Sequence, residues 1–325
     1  MKITLSTFLQ SKLNISLYLT FGWWVARFYI FFLGKLYFLL NKKERLIINN
    51  AVIDVVGRIR QGINIEEVTK KVFQGIFSHY YEKLFIAFEN INKATRFLKC
   101  NISSNSLVVV RRCLLKGKGV ILVTGHYGAI EYIPTLLAVN NFDISMIAKF
   151  KSKQLKEKVF TQAEKYNIRL IDADNSGHVL SKAIKELKEN RVLVTQCDEI
   201  EEWRPSEKKK ISFLGQVTGL DRTINAIQKK TGAEVVLGVL HRYNLNKYRL
   251  IIYSYKDILR ALDGVPISTV GEMVIKVLEQ LIYYHPEQWY QWNKYPVLKA
   301  SSIISAEVEQ PMSFPFLQPS FGEVL

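Results

Sequence analysis

Residues 119–131 read GVILVTGHYGAIE, and the class of fold follows from them. Val120, Ile121, Leu122 and Val123 form an unbroken aliphatic run of strand length, with Gly119 before it and Gly125 after it. No polar residue alternates with them, so both faces of the strand are expected to be buried, as in a parallel sheet covered by helices. Beyond Glu131 the apolar positions Ile133, Leu136, Leu137 and Val139 carry a helical spacing. His126 therefore falls on a strand-to-helix turn and Glu131 in or near the first helical turn. That turn lies beyond the carboxyl end of the strand, where open α/β sheets hold their ligands.

An imidazole takes a proton from a hydroxyl near neutral pH, and a carboxylate on its other nitrogen fixes the tautomer and stabilises the cation that forms. His126 as base and Glu131 as its orienting acid are thus the candidate catalytic pair. Five histidines and 29 acidic residues in 325 produce about 0.4 chance pairs of this spacing, so spacing alone decides nothing. Context singles out His126. His79, His178, His241 and His285 have no acid at that offset, and none follows a comparable strand and glycine.

The GHYGAIE block, Phe213-Leu214-Gly215 and the closing HPEQWYQW at residues 285–292 resemble the lipid A late acyltransferases (lauroyl and myristoyl transferases). These sit within the wider lysophospholipid acyltransferase-like group that shares a His-x4-acid signature. The likeness spans residues 15–298. It implies an α/β fold with a mixed, mainly parallel sheet flanked by helices. It also implies transfer of an acyl chain from a carrier thioester to a hydroxyl of a lipid A-type or related acceptor, with the histidine as base. Phe213 and Gly215 would lie in a loop closing over the acceptor, Asp198 would have a supporting role, and the closing block would be largely architectural. The implied donor is an acyl chain on an acidic acyl carrier protein or on CoA, with no cofactor of the enzyme's own. The implied location is the cytoplasmic face of the bacterial inner membrane. Two departures stand out: Lys149 occupies a place where such sequences usually carry arginine, and Ala129-Ile130 replaces an Asn-Trp pair before Glu131.

A 325-residue chain with 48% apolar residues can bury a sizeable core. We expect an acyltransferase domain over residues 43–298, a membrane-associating segment over 1–42 and a disordered tail over 299–325. Cys100, Cys113 and Cys197 lack metal-ligand spacing, which argues against a disulfide framework and a zinc site. A net charge of +16 calls for an acidic partner, and anionic membrane lipid or an acidic carrier is expected rather than nucleic acid. Residues 13–40 are bulky and apolar, but Arg27 and Lys35 interrupt them. On a helix Arg27, Lys35 and Lys42 would fall within about a quarter turn, which favours an interfacial or monotopic anchor over a tilted span or a core helix. No short apolar core precedes a small-residue cleavage site, so a signal peptide is not expected.

Helices are expected over residues 44–59, 66–98 and, against a competing strand pattern, 107–115. From 142 onward strands and helices alternate, with strands at 142–150, 168–171 and 191–197. If the strands are parallel, the last delivers Gln196 and Asp198 to the sheet edge of His126, so Asp198 or Glu199 would either face the site or cap its loop. Residues 199–210 read as a charged loop holding Trp203 and the run Lys208, Lys209 and Lys210. A helix over 221–230 should end at Gly232, and Arg222 in its first turn opposes the helix dipole, which suits an anionic partner. A hairpin over 234–255 and a helix over 269–284 complete the pattern. Lys149 or backbone N–H groups near Gly128 would supply the oxyanion donors.

Two rival functions follow from other residues. Asp172 and Asp174 would hold a divalent cation in a metal-dependent glycosyltransferase. Alternatively, the basic chain is an inert peripheral membrane or nucleic-acid-binding protein. A serine hydrolase is disfavoured, because no Gly-x-Ser-x-Gly elbow is present.

Overall fold

The computed structural model describes residue 9 and residues 11–303, apart from 60–61, 150–152, 175–177, 202–204, 264, 266 and 268. The expected tail from residue 304 onward, Trp203 and the side chains of Lys208 and Lys209 lie outside the described residues.

Among the described residues the long elements begin with four helices: α1 (Lys12–Leu40), α2 (Lys42–Ile59), α3 (Ile65–Phe88) and α4 (Ile91–Asn101). The single helix expected over 66–98 is two, because Glu89 is extended and Asn90 starts a new helix by accepting the N–H of Asn92 at 2.9 Å. The short β1 (Ile102–Ser103) and α5 (Leu107–Leu114) lead into β2 (Val120–Thr124). Then α6 (Ile133–Ala138), β3 (Ile144–Ala148), α7 (Lys153–Lys165), β4 (Arg169–Asp172), α8 (Val179–Lys188) and β5 (Val192–Gln196) alternate. The hairpin β6 (Pro205–Phe213) and β7 (Gln216–Asp221) precedes α9 (Thr223–Thr231), which Gly232 ends in the left-handed region at φ 66°. The hairpin β8 (Glu234–Asn244) and β9 (Lys247–Tyr253), then α10 (Tyr255–Ala261), α11 (Val270–Tyr284) and α12 (Tyr295–Ile303), close the chain. The last helix continues past residue 298, where the tail was expected to begin.

The main sheet has the order β1-β9-β8-β2-β5-β3-β4, parallel except for the β8–β9 hairpin. The α/β class with a mixed, mainly parallel sheet is therefore what the chain forms. β2 lies at the middle, buried at every residue, with Val120 paired to Val192 on one side and Glu234 on the other. Its aliphatic run has this cause: a strand with neighbours on both edges and helices on both faces meets no water.

The expected loop over 199–210 is partly β6, whose backbone bonds to β7 whatever the charge of its side chains. Its turn is tight. Leu214 and Gly215 both have positive φ, 51° and 73°, the pattern of a two-residue hairpin turn. The Leu214 N–H bonds Glu279 of α11, which also accepts from Lys276 at 2.9 Å and Tyr283 at 3.0 Å. Phe213 is fully buried. Phe213 and Gly215 thus belong to a pinned turn rather than a closing loop, because a buried carboxylate holds the backbone.

One side of α1 packs against α3 through Trp23, edge-on to Tyr81 and Phe85 at 6.1 and 5.3 Å. The helix is broken at Gly22, at φ 82°, and Phe21 before the break and Trp24, Phe28 and Phe32 after it are between 58% and 77% exposed. The stretch Asn14–Leu40 is long and apolar enough to cross a membrane by length and composition, with 28% of its most apolar window buried. The expected basic stripe does not form. Arg27 turns inward to bond Asn246 in the β8–β9 turn and lies over the rings of Phe31 and Tyr81, while Asn41 breaks the helix before Lys42.

Helix α3 meets the Pro286–Gln288 turn at Gly75. A Cβ there would stand 1.9 Å from the Glu287 carbonyl oxygen, which is backbone on both sides and has nowhere to yield. Gly→Ala inside a helix ordinarily stabilises by about 1 kcal/mol. Here the sign should reverse: Gly75→Ala is expected to lower stability by about 1–3 kcal/mol, read as a lower denaturation midpoint. An unchanged or raised midpoint would mean that the two segments are not in contact.

Candidate active site

The parallel pairing of β2 with β5 builds the site. Thr124 pairs with Gln196, so the residues two places beyond each, His126 and Asp198, arrive opposite one another at the carboxyl edge. Cys197 donates its N–H to the Thr124 oxygen at 2.9 Å and carries the register past the strand ends. Asp198 is wholly buried. Its Oδ1 meets His126 Nδ1 at 2.8 Å, and its two oxygens share the His126 backbone N–H at 3.0 and 2.9 Å. Trp289 Nε1 donates to Oδ2 at 2.8 Å. Phe213, edge-on to Trp289 at 6.4 Å, backs that indole.

The carboxylate on Nδ1 is therefore Asp198, not the Glu131 expected there. The reason is the path of the chain after His126. Gly128, at φ 61°, turns it against β8, and Ala129 donates to the Leu240 oxygen at 2.8 Å. Glu131 then lies in the Ile130–Tyr132 turn facing α3, 3.8 Å from Lys83 Nζ and 3.9 Å from His79 Nε2. None of the described contacts joins it to His126.

The other ring nitrogen, Nε2, is 3.2 Å from Glu199 Oε1. The Tyr290 ring stands edge-on to the imidazole at 5.2 Å and stacks at 3.5 Å on His79. Burial pulls the His126 pKa down, but the Asp198 charge and hydrogen bond, with Glu199, outweigh it and lift the imidazole to about 10. Burial pushes the Asp198 carboxyl up, and the His126 charge and the donors around it hold it below its usual 3.8. His79 goes the other way: burial and then the Lys83 and Arg242 charges hold it well below 6.5, hence neutral.

The remaining candidates are scattered. Lys149 directly follows β3 and is exposed at the same sheet edge, two strands from β2. Arg222 sits exposed at the cap of α9, and none of the described contacts ties it to His126. The backbone N–H groups near Gly128 are not oxyanion donors, because those of Tyr127, Gly128 and Ala129 already bond Gly125, Gln288 and Leu240 oxygens. Asp172 ends the edge strand β4, bonds Lys156 and accepts the Asp174 N–H at 3.1 Å. Those partners make it a structural turn, and no cluster of three or more metal-ligating side chains occurs among the described residues. His241 bonds the Tyr127 hydroxyl at 2.9 Å inside the sheet layer.

Sequence reasoning did not find the site roles of Trp289, Tyr290, His79 and Lys83. Their only signal was that the first two lie in the closing block. That block touches the imidazole group directly as well as supporting the fold.

Chemically, the arrangement fixes one imidazole nitrogen and points the other toward a half-exposed carboxylate. The paired charges also make stability depend on pH. Asp198, with its lowered pKa, contributes fully above about 3.8 and loses that contribution as the pH falls. His126, with its raised pKa, contributes fully below about 6.5 and loses it as the pH rises through about 10. The thermal midpoint of the parent should thus decline between pH 7 and 10, and Asp198→Asn should flatten that decline. Parallel curves for the two proteins would refute the coupling.

The family described as bacterial lipid A biosynthesis acyltransferase matches residues 25–294 of the chain. A search of curated proteins found no match.

Proposed function

Since the chain belongs to the bacterial lipid A biosynthesis acyltransferase family, and is an acyltransferase acting in lipid A synthesis, we propose that His126, oriented by Asp198, activates a hydroxyl of a lipid A-type acceptor. The observation that carries this reading is the buried Asp198 on Nδ1 with Nε2 turned toward the half-exposed Glu199 at the carboxyl edge. Asp198 keeps the Nδ1 proton in place, so the Nε2 lone pair takes the hydroxyl proton as its oxygen attacks the thioester carbonyl. The C–S bond then breaks, and the leaving thiolate takes the proton from Nε2. No acyl-enzyme intermediate is required. Lys149 is the side chain we assign to the developing oxyanion or to an anionic group of the donor, and Glu131 beside Lys83 to the placement of the acceptor. The net charge of +16 supports a donor carried by an acidic acyl carrier protein, with acyl-CoA as the alternative.

The test is acyl transfer from a carrier thioester to lipid A-type lipid, followed by mass spectrometry. His126→Ala should lower the rate by about 10²–10⁴ while the protein stays folded. Asp198→Asn should approach that loss, and the double variant should add little, because both act on one proton transfer. Glu131→Gln should act mainly on the acceptor KM. A folded His126→Ala protein with parental transfer would overturn the mechanism.

The same reading places the protein on the cytoplasmic face of the inner membrane, as a peripheral or monotopic protein or with one span. The outward rings of α1 support it, since Phe21, Trp24, Phe28 and Phe32 remain mostly exposed. Burying a large apolar side chain contributes about 1.5–3 kcal/mol. Phe21→Ser, Trp24→Ser and Phe28→Ser together should therefore abolish co-flotation with anionic phospholipid vesicles without lowering the unfolding midpoint. Retained flotation would move the anchor elsewhere.

A further inference from the structure

Two consecutive carboxylates clasp the His126 ring from opposite edges, and they differ in freedom. Asp198 is wholly buried and held by the His126 backbone N–H, His126 Nδ1 and Trp289 Nε1. Glu199 is 42% exposed, and His126 Nε2 at 3.2 Å is its one partner among the described contacts. Moving Asp198 would strip a buried charge of three donors, whereas moving Glu199 breaks one contact that water can replace. Yet Nε2 is the only ring nitrogen left for a substrate, since Nδ1 is committed.

We propose that Glu199 occupies, before substrate binds, the place on His126 Nε2 that the acceptor hydroxyl takes during transfer, and that the arriving acceptor displaces it. The inference rests on the assignment of His126 as base. Among the described residues, the groups facing the imidazole are Asp198 and Glu199 after β5, and Tyr290 after α11. Behind Tyr290 lie His79, Lys83 and, from β8, Arg242, with Glu131 beside them. Among these the two carboxylates alone lie within hydrogen-bond reach of the ring. Together they favour the imidazolium, which cannot accept a proton. Once Glu199 has left, its charge no longer favours the imidazolium, and the Nε2 proton is lost to water. Neutral Nε2 then meets the hydroxyl, whose O–H bond breaks as the new O–C bond forms. The free enzyme is thereby held in a charged resting form, and acceptor binding creates the base.

The test uses the full-length protein labelled with ¹⁵N-histidine, with the His126 signal identified by its loss in His126→Ala. In Glu199→Gln the His126 pKa should fall by at least about one unit, a tenfold loss of proton affinity, and Glu199→Asp, one methylene shorter, should give a smaller fall. Kinetics on the lipid identified in the transfer assay supply the second readout. The acid limb of kcat/KM, which reports the free enzyme, should move down in Glu199→Gln, while that of kcat, which reports the complex, stays in place. An unchanged His126 titration would overturn the proposal, as would equal displacement of both limbs, which would mean that Glu199 remains on Nε2 in the complex. The titration needs no turnover. Parental transfer by His126→Ala would therefore remove the base assignment while leaving the Glu199 contact itself measurable.

Discussion

A carboxylate without access to water demands donors, and Asp198 collects three of them from two distant parts of the chain. Two come from His126 at the end of β2 and one from Trp289 beyond α11. Losing one partner of such a buried charge group costs about 3–5 kcal/mol, so the strand end, the loop after β5 and the closing block are constrained together. The imidazole's orientation follows from that one acid, and its charge from that acid together with Glu199. The rest of the site is organised by what can stand around it.

A second buried pair keeps the helical layer in register with this group. Arg242 of β8 forks onto Glu82 of α3 at 2.7 and 2.8 Å and donates to the Gly128 oxygen at 2.6 Å. Gln288 bonds the same arginine residue's backbone at both its N–H and its oxygen. The turn that carries the chain away from His126 is therefore fastened to α3 and to the closing block at once. This explains why Glu131, five residues beyond the histidine, looks toward His79 and Lys83. Its position is set by the Gly128–Leu240 contact, not by attraction to the imidazole.

Much of the fold was legible in the sequence because burial writes itself into residue type. The aliphatic run at Val120, the alternation of strands and helices, Gly232 at a helix end and the β8–β9 hairpin each have a local cause. The misreadings had non-local causes. Residues 205–210 looked like a solvated loop because their charges say nothing of β7, which supplies their hydrogen bonds. Phe213-Leu214-Gly215 looked like a closing loop because the Glu279 carboxylate that pins it lies 65 residues away. Arg27 looked like part of a basic stripe because the Asn246 that draws it inward comes from the far end of the sheet.

The sequence by itself determined that a histidine stands at the carboxyl end of a buried strand, that Asp198 reaches the same edge if the strands are parallel, and that residues 13–40 are a bulky apolar stretch. Those follow from the period of side chains and the direction of strands, which are local properties. Only the tertiary structure decided which acid holds the imidazole. That depends on β5 rather than β3 lying next to β2, and on the Thr124–Gln196 register that brings two residues 72 positions apart face to face. Strand order is set by how all the helices cover both faces of the sheet, and no spacing along the chain carries it.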